Sequence, residues 1–322
     1  MSKIKSFLLS CIAFLYLVPL FGTSGQIAKV NDIEIWYETF GEKKDPAVML
    51  IMGALGQGIL WPTEFCEHLA RSGYYVIRYD HRDTGLSSCF DFEKNPYDLL
   101  DMAKDAAGLL EHLSVFNAHL CGLSMGGPVA QLVSVHFPER VASLTLLATS
   151  CDLRPCIRAF EGLDSQESPL SRPKQIYIDW MQKFLQSPPQ TQEEQLDERV
   201  ICWHILNGSV IPFEEQRYRE IHREFLMRQI HPESLTNHMG AIKNSYDMIQ
   251  TVPGLVTVST VVIQGSEDPI LQQDHGEALS RSIANSRYLF VEGLGHVPNC
   301  HFYDLFTQEI KKHASEQACI VL

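Results

Sequence analysis

A serine enclosed by glycines is the feature of this chain whose residue types and spacing point to chemistry. Residues 122–126 read GLSMG and lie between a short apolar run over 118–121 and a helical pattern over 128–137. A strand, a tight turn and a helix in this order hold a serine hydroxyl above the edge of a sheet. A structural turn is the alternative, because small residues also meet in this pattern by chance. The context favours Ser124 as a nucleophile.

A serine hydroxyl needs a base to remove its proton, and the base needs an acid to orient it. His296 lies in a loop with glycine and proline around it (GLGHVP, 293–298) directly after an apolar strand pattern. Asp268 follows another apolar run, and Pro269 holds it extended, which favours it over its neighbour Glu267. Asp152, after the preceding strand, is an alternative acid. The order Ser124, Asp268, His296 is the order that this motif class requires.

Acyl transfer also needs donors for the negative charge that develops on the carbonyl oxygen. The backbone N–H of Met125, directly after the nucleophile, is one candidate. The glycine-rich loop 52–58 (MGALGQG) follows a buried strand pattern and offers the N–H of Ala54 as the second. The loop lacks both glycine patterns of phosphate-binding loops, so a nucleotide cofactor is not indicated. No metal-ligand spacing occurs either.

The elements that position these residues alternate between strand and helix. Apolar runs at 47–52, 74–79, 143–148 and 260–263 indicate strands covered on both faces. Residues 33–40 partly alternate and predict an edge strand. Helical patterns lie at 62–72, 96–113 and 128–137. The prediction is an α/β fold with a mostly parallel central sheet and helices on both faces.

About a hundred residues separate the sixth strand from the next one, although a crossover needs only a dozen or so. Helical spacing at 176–185, 199–206 and 218–230 predicts a helical cap over the sheet edge. An accessory lobe is the alternative. Its aromatic residues indicate an apolar pocket roof, although each one alone is better explained by helix packing: Trp180, Phe184, Trp203, Phe213, Tyr218 and Phe225.

A second polar loop, 78–88, also follows a buried strand pattern. Its density of charged residues suggests catalysis, but charged side chains that tie down a loop beside the site explain it better.

Composition and the chain termini bear on location and partners. With 322 residues, 45% of them hydrophobic, the chain is long enough for a large core. A formal charge of −13 argues against nucleic acid as a partner. Residues 1–25 have two lysines, an apolar run and small residues near 23–25, which predict a signal peptide and export to the periplasm or the outside. An uncleaved membrane anchor is the alternative.

The cysteines and the last four residues add two further expectations. The cysteines are scattered without a metal or redox motif, and a disulfide between Cys151 and Cys156 is an alternative to free thiols. Residues 319–322 (CIVL) match the prenylation pattern at Cys319, which conflicts with export. Membrane contact through the N-terminal segment or a prenylated Cys319 therefore stays open.

Together these stretches resemble the α/β-hydrolase superfamily over residues 27–314. Within it the chain is most similar to the aclacinomycin methylesterase group, on residues 51–53, 77–87 (IRYDHRDTGLS) and 119–126 (HLCGLSMG), with further support at 210–213 and 262–270. The resemblance implies cofactor-free hydrolysis of a carboxylic ester through an acyl-enzyme. It assigns nucleophile, acid and base to Ser124, Asp268 and His296, and oxyanion donors to Ala54 and Met125.

These inferences divide the chain into a signal peptide (1–25), a hydrolase core (26–150 and 251–314), a helical cap (151–250) and a tail (315–322). The expected substrate is a small to medium apolar ester. Acyl transfer, lactone opening or C–C bond hydrolysis on the same residues are alternatives. So are a ligand receptor with slow hydrolysis and an interaction protein on an inactive hydrolase fold.

Overall fold

The computed structural model describes residues 25–163 and 168–318, with side chains through residue 312. The predicted signal peptide up to residue 24 and the prenylation site at Cys319 lie outside the described residues. No described helix combines the length and the apolar composition that crossing a bilayer requires.

Eight strands form one sheet in the order β1-β2-β4-β3-β5-β6-β7-β8. β2 runs antiparallel to both β1 and β4, and the other neighbouring pairs are parallel. The strands are β1 Gln26–Val30, β2 Ile33–Phe40, β3 Ala47–Ile51, β4 Tyr75–Tyr79, β5 Ala118–Leu123, β6 Val141–Leu147, β7 Thr260–Gly265 and β8 Ser286–Val291.

The predicted buried strands are confirmed, because every residue of β3 to β7 is buried. The prediction that 33–40 is an edge strand was wrong. β2 is covered on one side by β1, whose residues alternate in exposure and form the edge. The sequence pattern predicts no strand at 26–30, since five residues of mixed polarity give little signal. Four consecutive buried residues in β2 reflect its interior place.

Helices cover both faces of the sheet. Their bounds differ from the predicted ones by a few residues, because side chains decide where a helix begins. Asp98 caps the second helix in a capping box with Asp101, so that helix begins at Leu99 rather than at Pro96. The core helices are α1 Thr63–Arg71, α2 Leu99–His112, α3 Gly126–His136, α10 Gln273–Ser282 and α11 Tyr303–Ala318.

The segment between β6 and β7 is helical, as the sequence predicts. Its helices are α4 Arg154–Phe160, α5 Gln175–Gln186, α6 Gln192–Asn207, α7 Glu215–Arg228, α8 Asn237–Asn244 and α9 Tyr246–Thr251. Aromatic packing joins α6 to α7: the Trp203 and Tyr218 ring centroids lie 5.1 Å apart. Trp203, Tyr218 and Phe225 are buried in the core, as expected for helix packing. The predicted cap limits at 151 and 250 remain a prediction.

Candidate active site

Ser124 lies at a sharp turn between β5 and α3. Its φ is +53°, in the left-handed region that non-glycine residues seldom adopt. The glycines on either side permit the turn. A Cβ at Gly122 would lie 2.4 Å from the Gly126 oxygen, and one at Gly126 would lie 2.2 Å from the Ile51 oxygen. Only glycine fits at these two positions, so the strand and the helix can approach closely behind the serine.

The backbone of Ser124 is held from both sides. Its N–H donates to the Leu147 oxygen at 3.0 Å. Its carbonyl oxygen accepts from the Thr149 hydroxyl at 2.7 Å. The side chain is half-buried. A reagent can therefore reach the hydroxyl while the surrounding fold maintains the strained backbone.

Asp268 and His296 form a hydrogen-bonded pair across two loops. Nδ1 of His296 lies 2.8 Å from Oδ2 of Asp268, and both residues are buried. Burial would raise the pKa of Asp268, but His296 and the backbone N–H groups of Leu271 and Ile270 hold it below its ordinary value. The carboxylate therefore stays ionised. It accepts a hydrogen bond from the Nδ1–H of His296, and this contact leaves Nε2 on the opposite side of the ring.

The two competing acids point elsewhere. Glu267 accepts from the backbone N–H and the hydroxyl of Ser209, both at 3.0 Å. Asp152 forms an ion pair with Arg154 at 2.8 Å. Among the described residues neither acid is a hydrogen-bond partner of His296, whereas Asp268 is.

The three residues follow three neighbouring or nearby strands, β5, β7 and β8, at the carboxyl edge of the sheet. This edge lies beside the point where the strand order reverses around β3, the usual place for a site in an open α/β sheet. No hydrogen bond joins the Ser124 hydroxyl to His296 in the described structure. Such bonds are often long in unliganded enzymes and shorten when substrate binds.

The glycine-rich loop after β3 lies against the serine. A Cβ at Gly53 would lie 3.1 Å from Cβ of Ser124 and 3.7 Å from its hydroxyl oxygen. The next residue, Ala54, is half-buried, and Met125 on the other side of Ser124 is buried. In the described part of the chain, neither the Ala54 N–H nor the Met125 N–H donates to a protein acceptor. The backbone N–H groups of Ala54 and Met125 are therefore two donors near Ser124 that have no acceptor among the described residues.

Sequence reasoning missed the side chains that hold this loop. Nδ1 of His238, on α8, accepts from the Leu55 N–H at 3.1 Å, and its Nε2 lies 2.8 Å from the Arg82 oxygen. Gln57 donates to the Phe225 oxygen of α7 at 2.9 Å. These contacts join residues more than 150 positions apart, and no local pattern indicates them.

The loop 78–88 has the structural role that the sequence predicts. Asp80 is fully buried; its carboxylate accepts from the Gly58 N–H at 2.7 Å and from the Leu86 N–H at 3.1 Å. Arg228 at the end of α7 forms an ion pair with it at 2.6 Å. The loop 78–88 therefore connects the glycine-rich loop 52–58 to the helices between β6 and β7.

The described residues show neither a group of metal-ligating side chains nor the alternative disulfide. Histidine, cysteine, aspartate and glutamate nowhere gather in the groups of three that could bind a metal ion there. Cys151 and Cys156 are both free, so the alternative disulfide does not form.

Comparisons with known proteins show the family and the fold of this chain. Residues 46–300 match the family model described as alpha/beta hydrolase fold. Rhodomycin D methylesterase DnrP of Streptomyces peucetius is 34% identical over 278 residues, which cover 83% of this chain and 90% of that protein. Rhodomycin D methylesterase DauP of Streptomyces sp. (strain C5) is 33% identical with the same coverage.

Solved structures show the same fold at lower identity. A hydrolase from Pseudomonas aeruginosa PA01 superposes with a TM-score of 0.66 at 22% identity and covers 91% of this chain and 99% of that chain. The enol-lactonase from Burkholderia xenovorans LB400 gives a TM-score of 0.63 at 19% identity and covers 90% of this chain and 100% of that one.

Proposed function

The chain belongs to the α/β-hydrolase fold family, and we propose that it cleaves a carboxylic ester through a covalent acyl-serine intermediate. Its relatives over most of its length are methylesterases, so the reaction class is the hydrolysis of carboxylic esters. The observation that carries the serine mechanism is the strained, accessible Ser124 at the same sheet edge as the Asp268–His296 pair. A non-glycine residue at φ +53° is strained, and strained backbone of this kind is found mainly at functional sites, where the surrounding structure holds it in place.

The reaction begins when Nε2 of His296 removes the proton of the Ser124 hydroxyl, which attacks the ester carbonyl. Negative charge then develops on the carbonyl oxygen, and the N–H groups of Ala54 and Met125 stabilise it. The protonated imidazole gives its proton to the leaving alcohol. His296 next activates a water molecule, which releases the acid from the acyl-enzyme.

Asp268 keeps His296 in the required tautomer throughout. Its ionised carboxylate accepts the Nδ1–H and stabilises the imidazolium that forms in each half of the reaction. The N–H groups of Leu271 and Ile270 donate to Oδ1 at 2.9 and 2.8 Å. They fix the carboxylate, so the imidazole has one orientation.

The substrate part of the proposal is a small to medium apolar ester. Aromatic rings of α6, α7 and the segment between them pack into a continuous group: Phe213 and Tyr218 stack at 5.2 Å, and Phe213 and His204 at 4.9 Å. A His296 backbone N–H bond to the Leu206 oxygen, 2.7 Å long, connects the end of α6 to the base. This supports a largely apolar roof over the reacting ester.

We also propose that the protein is exported, since residues 1–25 have the composition of a signal peptide. The first strand begins at Gln26, directly after that segment. Membrane association through Cys319 is the other location that the sequence allows.

Replacement of Ser124 by alanine tests the proposal. We expect the turnover of p-nitrophenyl esters to fall by about 10⁴-fold or more, because the nucleophile is absent. Ser187→Ala, at an exposed serine outside the site, is the matched control and should keep wild-type turnover. Wild-type turnover by purified, folded Ser124→Ala protein would refute the acyl-serine mechanism. Mass spectrometry of the products, with and without an acceptor alcohol, separates hydrolysis from acyl transfer.

A further inference from the structure

Arg199 on α6 is a guanidinium in an unusual environment. Its central carbon lies 3.5 Å from the ring centroid of Phe225 on α7. Its Nε donates to Nδ1 of His222 at 3.3 Å. Among the described residues it has no other hydrogen bond and no carboxylate partner.

The chain treats its other deeply placed arginines differently. Arg82 pairs with Asp105 at 2.7 Å and Arg228 with Asp80 at 2.6 Å, and Arg78 pairs with Glu38. These pairs are the normal solution, because an uncompensated charge away from water is strongly unfavourable. Arg199 departs from that rule: it is half-buried, it stacks on an aromatic ring, and no described carboxylate pairs with it.

The hydrogen-bond inventory shows what kind of partner is missing. Nδ1 of His222 accepts a hydrogen bond from Arg199, so the imidazole proton of His222 lies on Nε2. This nitrogen is buried and has no acceptor among the described residues. Burial and the adjacent guanidinium lower the pKa of His222, so the ring is neutral and cannot accept at both nitrogens. The four terminal N–H groups of Arg199 also lack an acceptor in the described structure. The cluster therefore has donors in excess, and the solvent-accessible side chain of Arg199 presents N–H groups that can bind an anion.

The guanidinium lies near the proposed site and can be reached. Arg199 precedes Leu206 by about two helical turns, which places it about 10 Å along α6 from the carbonyl that binds the His296 backbone. Phe225, beneath the guanidinium, accepts through its carbonyl from Gln57 of the glycine-rich loop 52–58. Arg199 keeps accessible surface, although burial lowers its pKa to about 10. A ligand can therefore reach the guanidinium, which packs between α6 and α7 beside the loop that contacts Ser124.

We propose that Arg199 binds a carboxylate of the substrate, so that the preferred substrate is an ester that also carries a free carboxylate. This inference rests on the proposed esterase function and specifies its substrate class. One guanidinium offers two parallel N–H donors, which match one carboxylate and its single negative charge. The apolar roof then contacts the hydrocarbon part of the substrate, between its carboxylate and its ester group.

Paired substrates test this assignment. The monomethyl esters of glutarate, adipate and pimelate carry the carboxylate, and methyl esters of the monoacids of equal chain length lack it. For at least one length, we expect wild-type kcat/KM to favour the half-ester at least about tenfold, as a charged hydrogen-bonded pair would. In Arg199→Met the ratio should fall to about unity, and Arg199→Lys should keep part of it.

Arg223→Met is the matched control, since Arg223 is an exposed arginine of α7 and its removal changes the net charge equally. It should keep the wild-type ratio. Thermal unfolding checks that each variant is folded, since Arg199→Met also removes the hydrogen bond to the buried His222; the Arg199→Lys ratio decides the proposal if Arg199→Met does not fold.

Some results would overturn the proposal. A wild-type ratio near unity at every chain length would do so without any variant, and so would an unchanged ratio in Arg199→Met. Failure of the esterase function itself is a different result: wild type would then hydrolyse neither ester, or would do so independently of Ser124.

Discussion

Ser124 and the Asp268–His296 pair show how single residues are prepared for chemistry. The left-handed backbone at Ser124 costs about 1–2 kcal/mol, which hydrogen bonds from Thr149 and to Leu147 help to maintain. Asp268 is buried, yet its pKa lies below the ordinary value because its partners favour the charged form. Each residue is held in a state that it would not adopt alone, and the proposed mechanism requires those states.

Replacement of Asp268 by asparagine tests the role of the acid. The amide can donate to Nδ1 and so stabilise the wrong imidazole tautomer, and we expect kcat to fall by about 10⁴-fold. The adjacent Glu267→Gln is the matched control, because among the described hydrogen bonds the carboxylate of Glu267 contacts only Ser209. Steady-state kinetics on one ester give both values. Equal activity of the two variants would contradict the assignment of Asp268.

His81 and His238 predict how stability depends on pH. Burial lowers their pKa to about 3 and about 4. Unfolded histidine titrates near 6.5, so below that pH the unfolded chain takes up protons that the folded chain does not bind. The free energy of unfolding therefore falls as pH decreases from 6.5 towards 4, by about 1 kcal/mol per pH unit for each histidine.

Urea unfolding at several pH values checks this expectation. His238→Asn keeps an acceptor for the Leu55 N–H but removes the titration. Its free energy of unfolding should depend on pH less steeply than that of wild type, by about 1 kcal/mol per pH unit. Identical slopes for the two proteins would show that His238 titrates normally in the folded state.

At the scale of elements, α7 is tied to the core at its carboxyl end. Arg228 pairs with Asp80, its Nε donates to Gln57, and its guanidinium lies 3.8 Å from the Trp36 ring. Gln229 accepts from the Gly85 N–H at 3.0 Å. The same helix end therefore contacts the glycine-rich loop 52–58, loop 78–88 and β2, so α7 has a fixed position relative to the sheet.

Arg228→Met should destabilise the protein strongly. The change leaves the fully buried Asp80 without its cation, and we expect a loss of about 3–5 kcal/mol in the free energy of unfolding. Arg71, which forms an exposed ion pair with Glu67, supplies the control: Arg71→Met should lower the free energy of unfolding by less than about 1 kcal/mol. Chemical denaturation measures both. A small effect at Arg228 would mean that the pair with Asp80 does not hold α7.

At the scale of the whole molecule, the sequence predicts the parts that depend on local pattern. Continuous apolar runs indicate β3, β4 and β6, and the glycines around Ser124 indicate the turn. The predicted Asp268–His296 contact follows from two loops at one sheet edge, and the structure forms it. Their catalytic roles stay a prediction.

What the sequence does not predict depends on contacts between distant segments. β1 is too short and mixed to be recognised, and its pairing decides that β2 is interior. His238 and Gln57 act through bonds across more than 150 positions. Arg199 is unremarkable on α6 until the structure shows which carboxylates are absent around it. Composition and periodicity carry no record of such pairings.

The central claim is that Ser124 becomes acylated, and covalent labelling tests it most directly. Wild-type protein is treated with a fluorophosphonate, digested and mapped by mass spectrometry. We predict a single modified peptide with the adduct on Ser124, no labelling of Ser124→Ala, and strongly reduced labelling of Asp268→Asn. Labelling of wild type at another residue, or undiminished labelling of Ser124→Ala, would contradict the account.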